Sequence, residues 1–405
     1  MDRADAADAE LARGQSRGPL HGVPITLKDS IDTAGLRTTA GTIGWRGRIP
    51  DRDATVAQRL KAAGAIVVGK TNTPEFTWSD QTANDVFGRT NNPWDLERSP
   101  GGSSGGSAAI VAAGGSPLDV GSDTADSIRM PSHYCGVVGM KPTQGRVSRA
   151  GHNPSFHGIL GSWTQLGPIA RTVDDVALAL SIIAGPDGVD PHVQPIELRS
   201  PADVAVSGLR VVFFTDNGIT TPTQSTVEVV RSAAAALADA GARVTERLPP
   251  GIVDMAGLWW SIVLADGHAW LRRLITAAGT PGTGWYTWLD DNPVATTAEL
   301  TRMLEAVDAA RGALFEFMRD VDVIVSPAGP KPPFRHDEAD TDVNIDTYCE
   351  AHNLSGYPAL VVPGGVRDGF PIGVQIVARP WREDVAFAAG KVVERALGGW
   401  QPPAI

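Results

Sequence analysis

The chain has 405 residues, 42% of them hydrophobic and 20% charged, an ordinary globular balance that excludes disordered and fibrous classes. Its 35 Lys and Arg against 46 Asp and Glu give a net charge of −11, and no basic block is present that could follow a phosphate backbone, which argues against nucleic acid as a partner. No apolar run approaches the roughly 20 residues that span a bilayer. The opening MDRADAADAELARG lacks the basic and apolar regions of a secretory signal, and the two cysteines, Cys135 and Cys349, read as buried thiols, so a cytoplasmic protein without membrane contact is expected.

In chain order, DATVAQRLKAAG (Asp53 to Gly64) has helical periodicity with a glycine stop, and AIVVGK follows at once as a short strand. A strand at LRVVFF (Leu209 to Phe214) precedes the Ala-rich helix STVEVVRSAAAALADAG, which gives way at Gly241 to the strand ARVTE. Further strands read at VDVIVSP (Val321 to Pro327), PALVVP (Pro358 to Pro363) and PIGVQIVA (Pro371 to Ala378). Apolar runs of this kind suit strands covered on both faces, so the class is α/β with a largely internal sheet. Length alone would admit two or three domains.

Between Gly101 and Ser148 the chain is crowded with Gly, Ser and Ala. A flexible linker would not continue into AAIVAAGG and CGVVGM, which are core material, and GGSSGG lacks the spacing of a phosphate-binding loop. Small residues do let a backbone approach a reacting group and present N–H donors to an oxyanion, which makes a serine in this region a candidate nucleophile. Gly101-Gly102-Ser103-Ser104-Gly105 matches G-x-S-x-G, but that motif requires a preceding strand and NNPWDLERSP reads as loop. His133, His152 and His157 sit in loop-like sequence without a triad or metal spacing, and read as surface or packing residues. Lysine is scarce, six of the 35 basic residues, yet Lys28, Lys70 and Lys141 each close an apolar strand-like run. Burial would lower the pKa of any of them and make it a base, and residue chemistry alone does not choose among the three.

Four separate stretches, GPLHGVPITLKDSIDTAG, SPGGSSGGSAA, GSDTADSIRMPSHYCGVVGMKPTQGRVS and NLSGYPALVVPGG with PIGVQIVARP, resemble the amidase signature family in the same order, from about Gly18 to Pro380. The resemblance implies one α/β/α domain over residues 1–405, a mixed central sheet covered by helices, and an N-terminal helical region that is short for the family. It implies a Ser-Ser-Lys relay, in which neutral Lys28 takes a proton through Ser103 from the nucleophile Ser127, with a cis peptide at Gly102–Ser103. The backbone N–H groups of Thr124, Ala125, Asp126 and Ser127 match the family's oxyanion loop, and Gly102 lies in its substrate-binding segment. Ser122, Asp123 and Arg129 match positions that hold this loop, buried and paired. No cofactor or metal is implied.

The chain departs from the family at Ala125-Asp126, where a small pair is common before the nucleophile. A carboxylate there has the wrong sign for an oxyanion, so Asp126 is expected to turn away, towards Arg129 or solvent. Gly257 to Asp291 contains Trp259, Trp260, Trp270, Trp285 and Trp288, either packing residues or pocket walls. The expected activity is hydrolysis of small aryl or apolar amides through a Ser127 acyl-enzyme, with esters and carbamates (a urethanase activity) as side substrates and a homodimer as the oligomer to test. The alternatives are a glutamine-hydrolysing amidotransferase subunit that passes ammonia to a partner, a silenced binding protein, and an esterase built on Ser103.

Overall fold

The computed structural model describes residues 2–280, 293–338 and 346–404. In chain order its strands are β1 (Pro24–Lys28), β2 (Ile66–Thr71), β3 (Ala83–Asn84), β4 (Gly88–Arg89), β5 (Leu118–Asp123), β6 (Val138–Lys141), β7 (Gln165–Ala170), β8 (Arg210–Phe213), β9 (Arg243–Glu246), β10 (Val323–Pro327), β11 (Ala359–Arg367) and β12 (Phe370–Ala378). The helices are α1 (Asp2–Ala12), α2 (Thr55–Ala62), α3 (Gly105–Ala112), α4 (Arg129–Cys135), α5 (Gly158–Trp163), α6 (Val173–Ile183), α7 (Gln224–Asp239), α8 (Ile252–Val263), α9 (Ala269–Ala278), α10 (Thr297–Phe317), α11 (Glu350–Leu354) and α12 (Glu383–Leu397).

Eight strands form one mixed sheet in the order β5-β7-β6-β11-β12-β10-β8-β9. Its β5 to β10 half is antiparallel, whereas β8 pairs in parallel with both β10 and β9. Period-two alternation sends neighbouring side chains to opposite faces. Val323 and Val325 join Leu360, Val362, Val374 and Ile376 in a core shared with α6, α7 and α12, while Ile324, Ala359 and Val377 face a second core shared with α8, α10 and α11. Helices therefore cover both faces, as the apolar runs lead one to expect.

Local chemistry sets the boundaries. The side chain of Thr223 accepts from Thr226 N at the start of α7, and Gly241, at φ 91°, lets the chain leave that helix for β9. The unit read at residues 53–70 is present as α2 and β2, but β2 pairs only with β1, in parallel, as a two-stranded ribbon separate from the central sheet. Its partly exposed residues at Ile66, Val68, Gly69 and Lys70 belong to a ribbon that lacks cover on one side. The thiols of Cys135 and Cys349 are free and buried. No helix among the described residues is long and apolar enough to cross a membrane.

Leu360 in β11 is fully buried, and Leu178 in α6 is 38% exposed. Leu360→Ala is expected to cost about 2–5 kcal/mol by leaving a cavity, against less than about 0.5 kcal/mol for Leu178→Ala. Urea unfolding of the two variants checks this.

Candidate active site

β1 ends by carrying Lys28 into the interior, where it is fully buried. Three hydroxyls surround its ammonium nitrogen: Nζ lies 2.7 Å from Ser103 Oγ, 2.9 Å from Ser104 Oγ and 3.0 Å from Ser122 Oγ. Burial lowers the Lys28 pKa to about 7 against the opposing pull of Asp123, Asp119 and Asp126. Lys70 and Lys141 are also lowered by burial, to about 8 and about 7, so titration does not separate the three lysines. Their contacts do. Lys70 binds the Ile31 carbonyl and the hydroxyls of Thr33 and Thr38, and Lys141 Nζ reaches the carbonyl of Pro142.

The Gly/Ser stretch crosses this point just before α3. Gly101 has φ 82°, and the Gly102–Ser103 peptide is cis. A Cβ on Gly102 would lie 2.1 Å from the Ser79 carbonyl oxygen and 2.9 Å from Asp80 Cα, so only glycine admits the loop that covers it. Ser104 N donates to the carbonyl of Ser127 at 3.1 Å, which ties this stretch to the segment after β5.

That segment, residues 124–128, is irregular because it takes no part in a ladder. Among the described residues, the backbone N–H groups of Thr124, Ala125, Asp126 and Ser127 donate to no protein acceptor. The next two amides, of Ile128 and Arg129, donate to Asp123 Oδ2 at 3.0 and 3.4 Å. Arg129 and Asp123, both fully buried, form a forked ion pair through Nε and Nη2 at 3.0 and 2.9 Å. Arg129 also donates to the carbonyls of Ala125 and Cys349, to Gln375 and to Asn353. Burial raises the Asp123 pKa, but the Arg129 charge and hydrogen bonds, with that of Asn353, outweigh it and hold the carboxyl down to about 2.

Asp126 does not turn away. The residue is 1% exposed, Ser127 Oγ lies 3.5 Å from its Oδ1, and its Oδ2 has no hydrogen-bond partner among the described residues. Arg129 is unavailable to it because its five N–H groups are already directed to other acceptors. Burial and then the charges of Asp80, Asp346 and Asp123 push the Asp126 carboxyl well above the usual range, with Arg129 only a small opposing influence. Ser127 itself is partly exposed and makes no hydrogen bond to Ser103 among the described residues.

The other sequence candidates separate by environment. His133 lies on α4, not in a loop; it is fully buried, and its Nδ1 accepts from Gly373 N at 2.7 Å. His152 is buried and bonds the Pro154 carbonyl, and His157 is exposed. Among the described residues neither a histidine nor a carboxylate contacts the Ser103 hydroxyl, which does not support an esterase built on it. Trp259 is core, 1% exposed, whereas Trp260 and Trp270 are only partly buried; Trp285 and Trp288 lie outside the described residues. Sequence reasoning missed Ser104, Trp78 and Asp80. Trp78 sits among Trp259, Trp260, Trp270 and Phe156, with ring centroids 4.7–6.5 Å apart. Ala125 of the irregular segment packs against the same core cluster that contains Trp259.

Removing one partner of a buried ion pair strands the other charge, so Arg129→Ala is expected to cost about 3–5 kcal/mol. The stabilisation from Asp123 is complete above the unfolded-state pKa near 4 and is lost as pH falls towards about 2. Urea unfolding between pH 7 and pH 2 should show this loss in the parent protein and a flatter acid limb in Arg129→Ala.

Comparison with known proteins places the chain in a family. The Amidase family matches residues 1–386. A glutamyl-tRNA(Gln) amidotransferase subunit of Roseiflexus sp. (strain RS-1) is 35% identical over 97% of this chain and 86% of its own length. The solved 6-aminohexanoate cyclic dimer hydrolase superposes with a TM-score of 0.86 at 31% identity, covering 100% of this chain and 89% of that one. The peptide amidase of Stenotrophomonas maltophilia gives 0.82 at 30% identity, covering 99% and 88%. With the family matched over nearly its whole length, and with the mixed sheet and buried lysine in place, the chain belongs to the amidase signature family.

Proposed function

We propose that this chain hydrolyses amides through an acyl-enzyme on Ser127, with Lys28 as the base and Ser103 as the bridge between them. The observation that carries the reading is the buried contact of Lys28 Nζ with Ser103 Oγ, 2.7 Å, beside a segment whose four successive N–H groups have no protein acceptor. Ser104 commits its proton to the Ser122 carbonyl at 3.2 Å, which leaves Ser103 as a hydroxyl able to pass a proton to neutral Lys28. Ser127 Oγ attacks the carbonyl carbon as its proton moves through Ser103 to Lys28. The C–N bond then breaks, the amine leaves with the returned proton, and water releases the acid by the same route. N–H groups from Thr124 to Ser127 receive the negative oxygen, and the relay closes when Ser127 Oγ rotates from Asp126 towards Ser103.

Two finer readings differ in substrate. The names of the sequence relatives favour a glutamine-hydrolysing amidotransferase subunit, working with partner chains, over a free-standing amidase. The aromatic group around Trp78 favours the free-standing enzyme, acting on aryl or apolar amides, with esters and carbamates following the same tetrahedral path. Turnover of glutamine, with partner chains retained on purification, would establish the first; turnover of aryl amides or carbamates by the isolated chain, with glutamine inert, would establish the second.

Ser127→Ala is expected to abolish labelling by a serine-directed fluorophosphonate while the fold persists. Lys28→Ala should lower kcat by about 10²–10⁴, whereas Lys70→Ala and Lys141→Ala act chiefly on stability. Only the neutral amine accepts a proton, so the rate should rise with pH through about 7. A flat profile from pH 6 to 8, with chemistry limiting, would remove Lys28 from the role.

A further inference from the structure

Lys28 is carried by a ribbon that has no backbone ladder to the sheet leading to Ser127, since β1 and β2 pair only with each other. Side chains make the connection instead. Lys28 Nζ reaches Ser104, the residue before α3, and Ser122 of β5. The same three parts of the chain meet a second time, around a carboxyl. Thr71 of β2 is the register partner of Lys28, Ser107 lies about one turn beyond Ser104 on α3, and Asp119 precedes Ser122 on β5. Thr71 Oγ1 donates to Asp119 Oδ2 at 3.0 Å and lies 2.9 Å from Ser107 Oγ. A hydroxyl has one proton to donate, so Ser107 donates to Thr71 and Thr71 to the carboxylate. Asp119 is fully buried, and its Oδ1 meets no donor among the described residues.

A buried carboxylate without a cation in contact acts on whatever titrates nearby, because the interior screens its charge less than water does. The other charged or titratable groups around the base and this carboxyl come from several elements. Asp123 ends β5 and is engaged by Arg129 of α4, while the charged form of Asp126 is disfavoured by burial and by its acidic neighbours. Lys70 of β2 acts on Asp119 but directs its Nζ to Ile31, Thr33 and Thr38, with Asp29, Asp32 and Arg48 around it. His152 is kept neutral, its imidazole lowered to about 3 by burial and then by the charge of Lys28. Burial raises the Asp119 carboxyl to about 6 against the pull of the hydroxyls and Lys70, so it is ionised where Lys28 titrates, at about 7.

We propose that Asp119 is a positioning residue for Lys28, tying the ribbon that carries the base to β5 through Thr71 and setting the pH at which the base becomes available. This rests on Lys28 being the base. The sign follows from charge: an ionised Asp119 favours the ammonium form, so its removal frees the neutral amine at lower pH. Thr71 supports the ionised carboxylate by donating to it, so loss of that hydroxyl acts in the same direction.

The chain has six lysines, few enough to follow one by one in protein grown on lysine labelled with ¹³C at Cε, the Lys28 resonance being the one missing from Lys28→Met. The Lys28 titration midpoint is expected to fall by at least about 0.5 pH unit in Asp119→Asn, about a threefold rise in the ratio of neutral to charged amine at a given pH. Thr71→Val lowers it too, and Thr71→Ser, which keeps the hydroxyl, restores the parent value. Lys141 is equally buried but answers to Arg129, Asp123 and Glu383, and its midpoint should stay in place. A Lys28 midpoint that is unmoved or raised in Asp119→Asn overturns the proposal, as does an equal fall at Lys141, which would mark general loosening. If Asp119→Asn does not fold, an unmoved midpoint in Thr71→Val overturns it instead. The rate of fluorophosphonate labelling of Ser127 from pH 5 to 9 keeps the two readings apart. Midpoints that move while the labelling profile does not follow support the Asp119 role and sink Lys28 as the base; a profile lost in Lys28→Met, with midpoints unmoved in Asp119→Asn, sinks the Asp119 role alone.

Discussion

The arrangement around Ser127 depends on one ion pair. Asp123 ends β5, and its carboxylate receives the amides of Ile128 and Arg129 together with the Arg129 guanidinium. This closes the five residues between strand and helix into a loop whose remaining amides meet no acceptor among the described residues. The guanidinium extends the constraint across the sheet, to the carbonyl of Cys349 before α11 and the side chain of Gln375 on β12. Two charges removed from water are costly to bury, and an apolar replacement of similar shape would be no less stable. What such a replacement would not supply is the set of directed hydrogen bonds, among them the one that holds the Ala125 carbonyl outward at 2.7 Å. The pair fixes conformation more than it adds stability.

Lys28 presents the complementary problem, a cation site kept neutral. Three aspartates favour its charged form, and burial outweighs all of them, bringing the pKa from 10.5 to about 7, a differential on the order of 5 kcal/mol. Hydroxyls from Ser103, Ser104 and Ser122 suit this balance because they bond the amine in either protonation state without adding charge. A carboxylate in direct contact would have restored the ammonium and removed the base.

Much of this was legible in the sequence, and the reasons differ by level. Strands such as VIVSP and PIGVQIVA were readable because burial on both faces leaves a continuous apolar run, and α7 because period 3.6 and its glycine stop are local signals. That β1 and β2 form a ribbon apart from the main sheet was not readable, since pairing is a long-range choice that local pattern does not encode. Within the site, the motifs pointed to Lys28, Ser103, Ser127, Asp123 and Arg129, and the structure joins Lys28 to Ser103 and Arg129 to Asp123. Ser104 was overlooked because it differs from Ser103 only by which side of the cis peptide it follows. Trp78 and Asp80 lie more than forty residues before Ser127, and only folding brings Asp80 against Gly102 and Trp78 among Trp259, Trp260 and Trp270. Asp126 was misjudged for a physical reason: Arg129, three residues away, looked available, whereas the stronger demand of Asp123 had already engaged it.

A carboxyl beside a developing oxyanion still needs an account. A full charge at about 4 Å would oppose the oxyanion by about 4 kcal/mol at an effective dielectric near 20, comparable to the loss of a good oxyanion donor, about 2.7–4 kcal/mol. That opposition requires the carboxyl to be ionised and unpaired at the moment of reaction. Burial and the like charges of Asp80 and Asp346 both disfavour that form of Asp126. The backbone N–H of Asp126 stays in the irregular loop, because that loop is held by Asp123 and Arg129 and not by the Asp126 side chain. The residue that departs from the family therefore leaves the fold of the loop beside Ser127 intact.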